Sequence, residues 1–249
     1  MIQVVRATLD QILPLRNQFL KENKFQIRYN ACHERGWADE YLLMLDGVIA
    51  GYGSVKGRSE LTDRDSIFEF YLIPAHRSNT SSYFDMLIKA SQASCIEAQS
   101  NEPVLTALQA IYTGKVTPEA ILFGNPIATS LKLDGFEFRP RSESDVIFQH
   151  HLEPIGAYVI ERNGEIVATG GFMTHYNKPF VDLYMEVNEP WRRRGLGSYM
   201  IQEIKRVCIQ QDNIPSARCG MKNTASRNAL RKAGFQEIGC VLSGEVIRP

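Results

Sequence analysis

The residue types best suited to chemistry are densest in Arg192-Arg193-Arg194-Gly195-Leu196-Gly197. Three guanidinium groups and two glycines in six residues describe a place for an anion. Glycine accepts positive φ and carries no Cβ, so successive amide N–H groups can turn toward one point. Upstream, Val181–Val187 alternates apolar and polar residues with the period of a strand, and Pro190 bounds it. Downstream, Met200, Ile204, Val207 and Cys208 recur at helical spacing within Ser198–Gln211. A strand, a basic turn and a helix start bring together unpaired amides and about half a positive charge. That combination suits a phosphate group. The alternative is an ordinary strand-to-helix connection with surface arginines.

The spacing rejects two phosphate motifs. A P-loop needs Gly-x-x-x-x-Gly-Lys-Ser/Thr, and a dinucleotide fingerprint needs a third glycine after Gly197; neither is present. What remains is Arg-x-x-Gly-x-Gly between a strand and a helix. Arg192, Gly195 and Gly197 resemble the Gln/Arg-x-x-Gly-x-Gly/Ala signature of the GCN5-related N-acetyltransferases (GNAT). A second stretch is similar to that family: Asn223-Thr224-Ala225-Ser226-Arg227 leading to Lys232-Ala233-Gly234-Phe235. The likeness covers residues 157–247 in motif detail and 1–144 in element order alone.

The resemblance implies acetyl-coenzyme A as co-substrate and no metal. Its pyrophosphate would lie on Arg192, Arg193, Arg194, Gly195, Leu196, Gly197 and Ser198. Met185 and Val187 would flank the thioester, with the Val187 N–H as oxyanion donor, and Asn223 and Ser226 would flank the pantetheine arm. An amine would attack the thioester carbonyl directly, after losing a proton from a group whose ordinary pKa is about 10.4.

Strand alternation supplies the candidate bases. Val181, Leu183, Met185 and Val187 share one face; Asp182, Tyr184 and Glu186 share the other. Glu186 is nearest the expected acetyl position and Tyr184 lies one step along the channel. His175, in the connection before the strand, is a further candidate base. A structural pairing of Glu186 with Arg218 is the competing reading. Two positions depart from the family pattern. The tyrosine acid of many members is Leu230 here, and the glutamate of some members is Val181. Tyr184, Cys219 or water must then protonate the thiolate, unless no acid is needed.

Positioning these residues requires a repeated set of elements. Two hairpins are predicted around Asp46-Gly47 and Asn163-Gly164. Each is followed by a strand, a loop, a helix, a strand and a helix. Pro74 precedes Ser82-Tyr83 by eight residues, as Pro190 precedes Ser198-Tyr199. In that register Asn79, Ser81 and His76 stand opposite Gly195, Gly197 and Arg192. The expected fold class is α/β (α+β): two tandem acyl-CoA N-acyltransferase-like domains, each a mixed, mostly antiparallel sheet flanked by helices. Residues 1–144 would be a degenerate GNAT-like domain, and 145–249 the domain with the acetyl-CoA site. Residues 145–153 could add one strand to the second domain.

Composition excludes several classes. The 249 residues are 44 % hydrophobic and 22 % charged with zero formal net charge, ordinary for a globular protein. The halves are each close to neutral, with 15 basic and 17 acidic residues in 1–144 and 13 and 11 in 145–249. No nucleic-acid or membrane partner is expected. Five scattered cysteines without metal spacing suggest reduced thiols and a cytoplasmic location. The expected protein is an N-acetyltransferase acting on a small-molecule amine, as monomer or homodimer. A non-catalytic acyl-coenzyme A sensor and a protein N-acetyltransferase are the alternatives.

Overall fold

Asp46-Gly47 and Asn163-Gly164 adopt the same turn, with φ of 49° and 82° in each pair. Two successive positive φ values match the twist of paired strands, and Gly at the second position takes its value without strain. The two hairpins head two similar blocks in the computed structural model, which describes residues 1–23 and 30–247. In chain order the elements are β1 (Ile2–Ala7), α1 (Leu9–Glu22), α2 (Asn30–Glu34), β2 (Ala38–Leu45), β3 (Val48–Lys56), β4 (Ser66–Leu72), α3 (Thr80–Ser91), β5 (Cys95–Gln99) and α4 (Pro103–Tyr112). There follow β6 (Thr113–Gly124), β7 (Glu137–Pro140), β8 (Tyr158–Arg162), β9 (Glu165–Met173), β10 (Phe180–Val187), α5 (Leu196–Gln210), β11 (Ile214–Gly220), α6 (Thr224–Lys232) and β12 (Gln236–Val246). The fold class is the one expected, mixed α/β with mostly antiparallel pairing.

The chain forms two units. The first takes most of residues 1–119 together with the C-terminal strand from Gly239 onward; the second is Ala120–Ile238. Within the first, β1, β2, β3 and β4 pair antiparallel in sequence order, β4 pairs parallel with β5, and β5 pairs antiparallel with β12. Within the second, β7, β8, β9 and β10 pair antiparallel, β10 pairs parallel with β11, and β11 pairs antiparallel with Ala120–Phe123 of β6. The units therefore do not divide at residue 144. Each is closed by a strand from beyond that point: the end of β6 serves the second unit, and β12 serves the first. β12 is one strand, continuous through Gly239 and Gly244.

The first unit has helices against two cores. One core joins β-sheet residues such as Phe70 and Ile96 to Tyr83, Phe84 and Leu87 of α3; the other joins Tyr52 and Tyr71 to Ile12 and Phe19 of α1. The second unit has one core, in which Val181 and Leu183 meet Leu196, Met200, Ile201 and Ile204 of α5 and Leu230 of α6. Residues 145–157 form no helix or strand, so the expected strand at 145–153 is absent. No helix among the described residues is long and apolar enough to cross a membrane.

Candidate acyl-coenzyme A site

The loop after β10 is built to leave amides unpaired. Glu189–Trp191 makes one short 3-10 turn, closed by Arg192 N–H to Glu189 C=O at 3.2 Å. Arg193 then takes φ of 62° and Gly195 φ of 85°. Alternating left-handed and ordinary residues turn successive N–H groups to one side. Tyr199 N–H is the first to bond into α5, to Gly195 C=O at 3.0 Å. Among the described residues, no acceptor in the chain takes the N–H groups of Arg193, Arg194, Gly195, Leu196, Gly197 or Ser198, and no side chain caps α5. Six amides at a helix start form an anion cradle.

Each residue of the cradle has a stated position. Leu196 is buried in the α5 core and anchors the turn. Gly197 lies against Met185: a Cβ there would stand 2.9 Å from the methionine Cε and 3.7 Å from Ala229 Cβ. Arg193 and Arg194 are exposed, and Arg194 stacks over the Trp191 ring at 4.8 Å. Arg192 Nε donates to Val187 C=O at 3.1 Å. The side chain of Lys232, on α6, also reaches the loop; its Nζ is 3.9 Å from where a Gly195 Cβ would be. Sequence reading passed over this lysine. The only signal was its place directly before Ala233-Gly234-Phe235.

Beside the cradle the sheet opens. β10 and β11 pair only over Phe180–Asp182 and Ile214–Ser216, after which β11 turns to β6. Asn188 N–H bonds to Val167 on the β9 side, at 2.9 Å. By strand alternation the N–H and C=O of Leu183, Met185 and Val187 point the other way, into the gap. Val187 N–H is thus offered to the opening at the cradle's edge. Asn223 caps α6, its side-chain oxygen accepting Ser226 N–H at 3.0 Å. Ser226 is half-buried, and burial pushes the neighbouring Cys219 thiol up.

The face of β10 away from α5 carries Asp182, Tyr184 and Glu186, as alternation predicts. Glu186 is not a free base. Its carboxylate accepts the N–H groups of His151 (3.1 Å), Leu152 (3.0 Å) and Glu153 (2.9 Å). Burial works to raise its pKa, but the amides of Glu153, Leu152 and His151 outweigh burial and hold it below the usual range. Nor does it pair with Arg218, whose Nε is 3.3 Å from Asp182 Oδ2; beside Glu186 stand His150 Nδ1 at 3.5 Å and the Arg192 guanidinium at 3.9 Å. Tyr184 is half-buried, and burial followed by the Glu153 charge raises its phenol pKa. His175 is half-buried with its ring 4.6 Å from Tyr176, whose hydroxyl accepts from Arg218.

Two further residues enter from the irregular segment. His150 Nδ1 donates to Glu153 C=O at 2.9 Å, and its Nε2 lies 3.2 Å from Thr169 Oγ1. The Glu153 carboxyl is raised, first by burial and then by the charge of Glu186. Neither was identified from sequence, because nothing in the local pattern of 145–157 tells that it folds back over β10.

The matching loop of the first unit is closed. Pro74–Asn79 is a 3-10 helix that runs directly into α3, and no residue in it has positive φ. Its amides are spent on one another, so no cradle forms. Arg77 Nε donates to Leu72 C=O at 3.0 Å, the bond Arg192 makes to Val187. Arg77, not His76, is therefore the counterpart of Arg192, and the two loops differ in length by one residue.

Residues 125–235 match the model of the acetyltransferase (GNAT) family. No curated protein sequence matches the chain. Among solved structures, a GNAT-family acetyltransferase from Colwellia psychrerythraea aligns with 99 % of this chain and 100 % of its own, at a TM-score of 0.77 and 12 % identity. A tandem GNAT protein from the clavulanic acid biosynthesis pathway, determined without AcCoA, aligns over 100 % of both chains at a TM-score of 0.65 and 9 % identity. A GCN5-related N-acetyltransferase from Sphaerobacter thermophilus covers 100 % of this chain and 96 % of its own, at 0.55 and 13 %. Residues 125–235 thus match the acetyltransferase (GNAT) family model, and the chain's fold is similar to that of a tandem GNAT protein.

Proposed function

We propose that the second unit moves an acetyl group from acetyl-coenzyme A to a primary amine of a small-molecule or amino-acid-like acceptor, and that the first unit is a degenerate copy without a cofactor site. The observation that carries this is the row of six unpaired amides from Arg193 to Ser198 beside the gap between β10 and β11. The pyrophosphate would take the amides, with Arg193, Arg194 and Lys232 at its rim. Met185 and Val187 would flank the thioester, and Asn223 and Ser226 the pantetheine arm. No metal enters the reaction.

The step is direct. The amine nitrogen, having lost a proton, attacks the thioester carbonyl; the N–C bond forms, the C–S bond breaks, and the thiolate leaves with a proton. The Val187 N–H meets the oxyanion; one such donor is typically worth about a hundredfold or more in rate. We assign proton removal to Glu153, whose carboxyl, raised by burial and then by the Glu186 charge, stands beside Tyr184 and Glu186. Tyr184, a neutral phenol, is the proton donor to the thiolate. His175 stays a candidate for a supporting role through Tyr176. We place the enzyme in the cytoplasm as a monomer or homodimer, acting without nucleic acid or membrane; light scattering in solution checks the assembly state.

Titration calorimetry with acetyl-coenzyme A tests the cofactor half. One molecule should bind per chain; no binding, or two equal sites, overturns the assignment. Thiol release in the presence of an amine panel tests the transfer. The second reading is a non-catalytic acyl-coenzyme A sensor. It draws on the filled oxygens of Glu186 and on Leu230 standing where a tyrosine acid would be. Tight cofactor binding with no turnover on any amine would favour it.

A further inference from the structure

The polar face of β10 gathers three carboxylates, with Arg218 acting on Glu153 and Asp182 and Arg192 3.9 Å from Glu186. Glu153, Asp182 and Glu186 stand together there with Tyr184 between them, Glu153 coupling to each of the other two carboxylates. Glu186 is answered by the amides of the irregular segment. Arg218, whose guanidinium lies over the Tyr176 ring at 5.2 Å, and the Tyr176 side chain both answer Asp182, Arg218 at 3.3 Å from Oδ2. The other oxygen, Oδ1, is buried with no hydrogen-bond donor, and Asp182 as a whole is 7 % exposed. A buried carboxylate oxygen without a donor is costly, and native structures seldom leave one so. Strand alternation turns this side chain to the face of Tyr184 and Glu186, the side from which an acceptor would come.

What Oδ1 lacks is a donor. We propose that Asp182 binds a second positively charged nitrogen of the acceptor, so that the substrate is an extended diamine or polyamine rather than a simple monoamine. The proposal rests on the acetyltransferase reading above. The reach is set by the strand. Asp182 and Val187 are five residues apart, roughly 16 Å at about 3.3 Å per residue. An acceptor with one nitrogen at the thioester and one at Asp182 must run past Tyr184, which favours a long, flexible chain with terminal ammonium groups.

The test compares 1,12-diaminododecane, whose extended chain matches that reach, with tridecylamine, equal in length and lacking the second ammonium, and with spermine as a third probe. The full-length protein is used with acetyl-coenzyme A. Diaminododecane should show a kcat/KM at least tenfold above tridecylamine. Asp182→Asn should erase most of that gap through KM, with kcat on tridecylamine little changed. Equal kcat/KM for the pair, or an undiminished gap in Asp182→Asn, overturns the proposal. Binding of the amines to the cofactor-free protein, measured by calorimetry, needs neither a folded variant nor turnover. Diaminododecane should bind and tridecylamine should not; the reverse, or no difference, overturns the proposal. Cofactor binding and turnover with no preference for a second charge would leave the acetyltransferase reading standing and sink this one alone. Failure to bind acetyl-coenzyme A would sink the former and leave the amine-binding result to decide the latter.

Discussion

Gly195 holds φ at 85° at the turn that aims the amides, and an L side chain pays about 1–2 kcal/mol in that region. Gly195→Ala should therefore weaken acetyl-coenzyme A binding by about tenfold, since roughly 1.4 kcal/mol is one decade. Calorimetry reads it, and unchanged affinity would mean the loop does not carry the pyrophosphate. Glu186 makes a different kind of prediction. In Glu186→Gln a carboxamide must face three amide donors that a carboxylate now accepts, so the 150–153 segment should loosen at a cost of about 1–3 kcal/mol. The substitution also removes a charge that raises Glu153. The Glu153 pKa should fall, and if Glu153 is the base, the acid limb of the kcat/KM profile should move to lower pH. A limb that stays in place, in a variant still binding cofactor, would assign the base elsewhere.

At the scale of elements, the repeat was legible because its punctuation is strong. Asp46-Gly47 and Asn163-Gly164 leave little choice of turn, and the strand expected at Val181–Val187 and the helix expected at Ser198–Gln211 are β10 and α5, shifted by one or two residues. The loop Arg192–Gly197 was legible for the same reason: glycine at a positive-φ position is a local necessity. What was not legible is held by distant contacts. The fold of 145–157 over β10, and with it Glu153 and His150, follows from three hydrogen bonds to a carboxylate over thirty residues away. The one-residue difference between the two loops became visible only through the matching arginine-to-carbonyl bonds of Arg77 and Arg192. The first unit also hides a buried ionic cluster across α1, α2, β2, β3 and β4. Arg16 bonds both oxygens of Glu69 at 2.9 Å, Tyr52 donates to Glu69 at 2.8 Å, and His33 bridges Glu40 at 2.6 Å and Glu69 at 3.3 Å. Removing one member strands the others: Glu69→Gln should cost about 3–5 kcal/mol. Burial lowers the pKa of His33, but Glu69 and Glu40 raise it further, while Arg16 and His33 hold Glu69 well below its ordinary value against burial. The histidine's contribution is full below pH 6.5 and is lost as pH rises through its raised folded value. The glutamate's is full above pH 4.5 and is lost as pH falls through its lowered value. The two tryptophans divide between the units, Trp37 in the first and Trp191 in the second. In a Trp191→Phe background, urea unfolding followed by Trp37 should show stability falling on both sides of that window. A midpoint unmoved by Glu69→Gln would mean the cluster is already solvated.

At the scale of the molecule, the path of the chain matters more than the count of its repeats. The first unit is not finished when residue 119 is made. Its sheet takes β12 from beyond the second unit: Val241–Glu245 pairs with Cys95–Gln99, and Val246 N–H bonds to Ser94 C=O at 2.8 Å. Val241 and Ser243 are buried in that pairing, and the Gln109 side chain donates to both Ile96 C=O and Leu242 C=O. The second unit likewise depends on Ala120–Phe123, which lies ahead of its own hairpin. Deleting the chain after Ile238 should therefore damage the far end of the sequence first. It exposes the edge of β5, uncovers apolar surface worth about 1.5–3 kcal/mol for a buried valine alone, and removes several ladder bonds of about 1 kcal/mol each. The Trp37 transition should lose about 3 kcal/mol or more, while the Trp191 transition and acetyl-coenzyme A binding change little, because β10, α5 and the cradle keep all their partners within Ala120–Ile238. The opposite result, a Trp191 transition that falls while Trp37 holds, would mean the C-terminal strand belongs energetically to the second unit. Cutting between 144 and 145 should be worse than that truncation, since it removes β6 and β7 from one sheet and β12 from the other. Neither fragment should then unfold cooperatively when expressed alone.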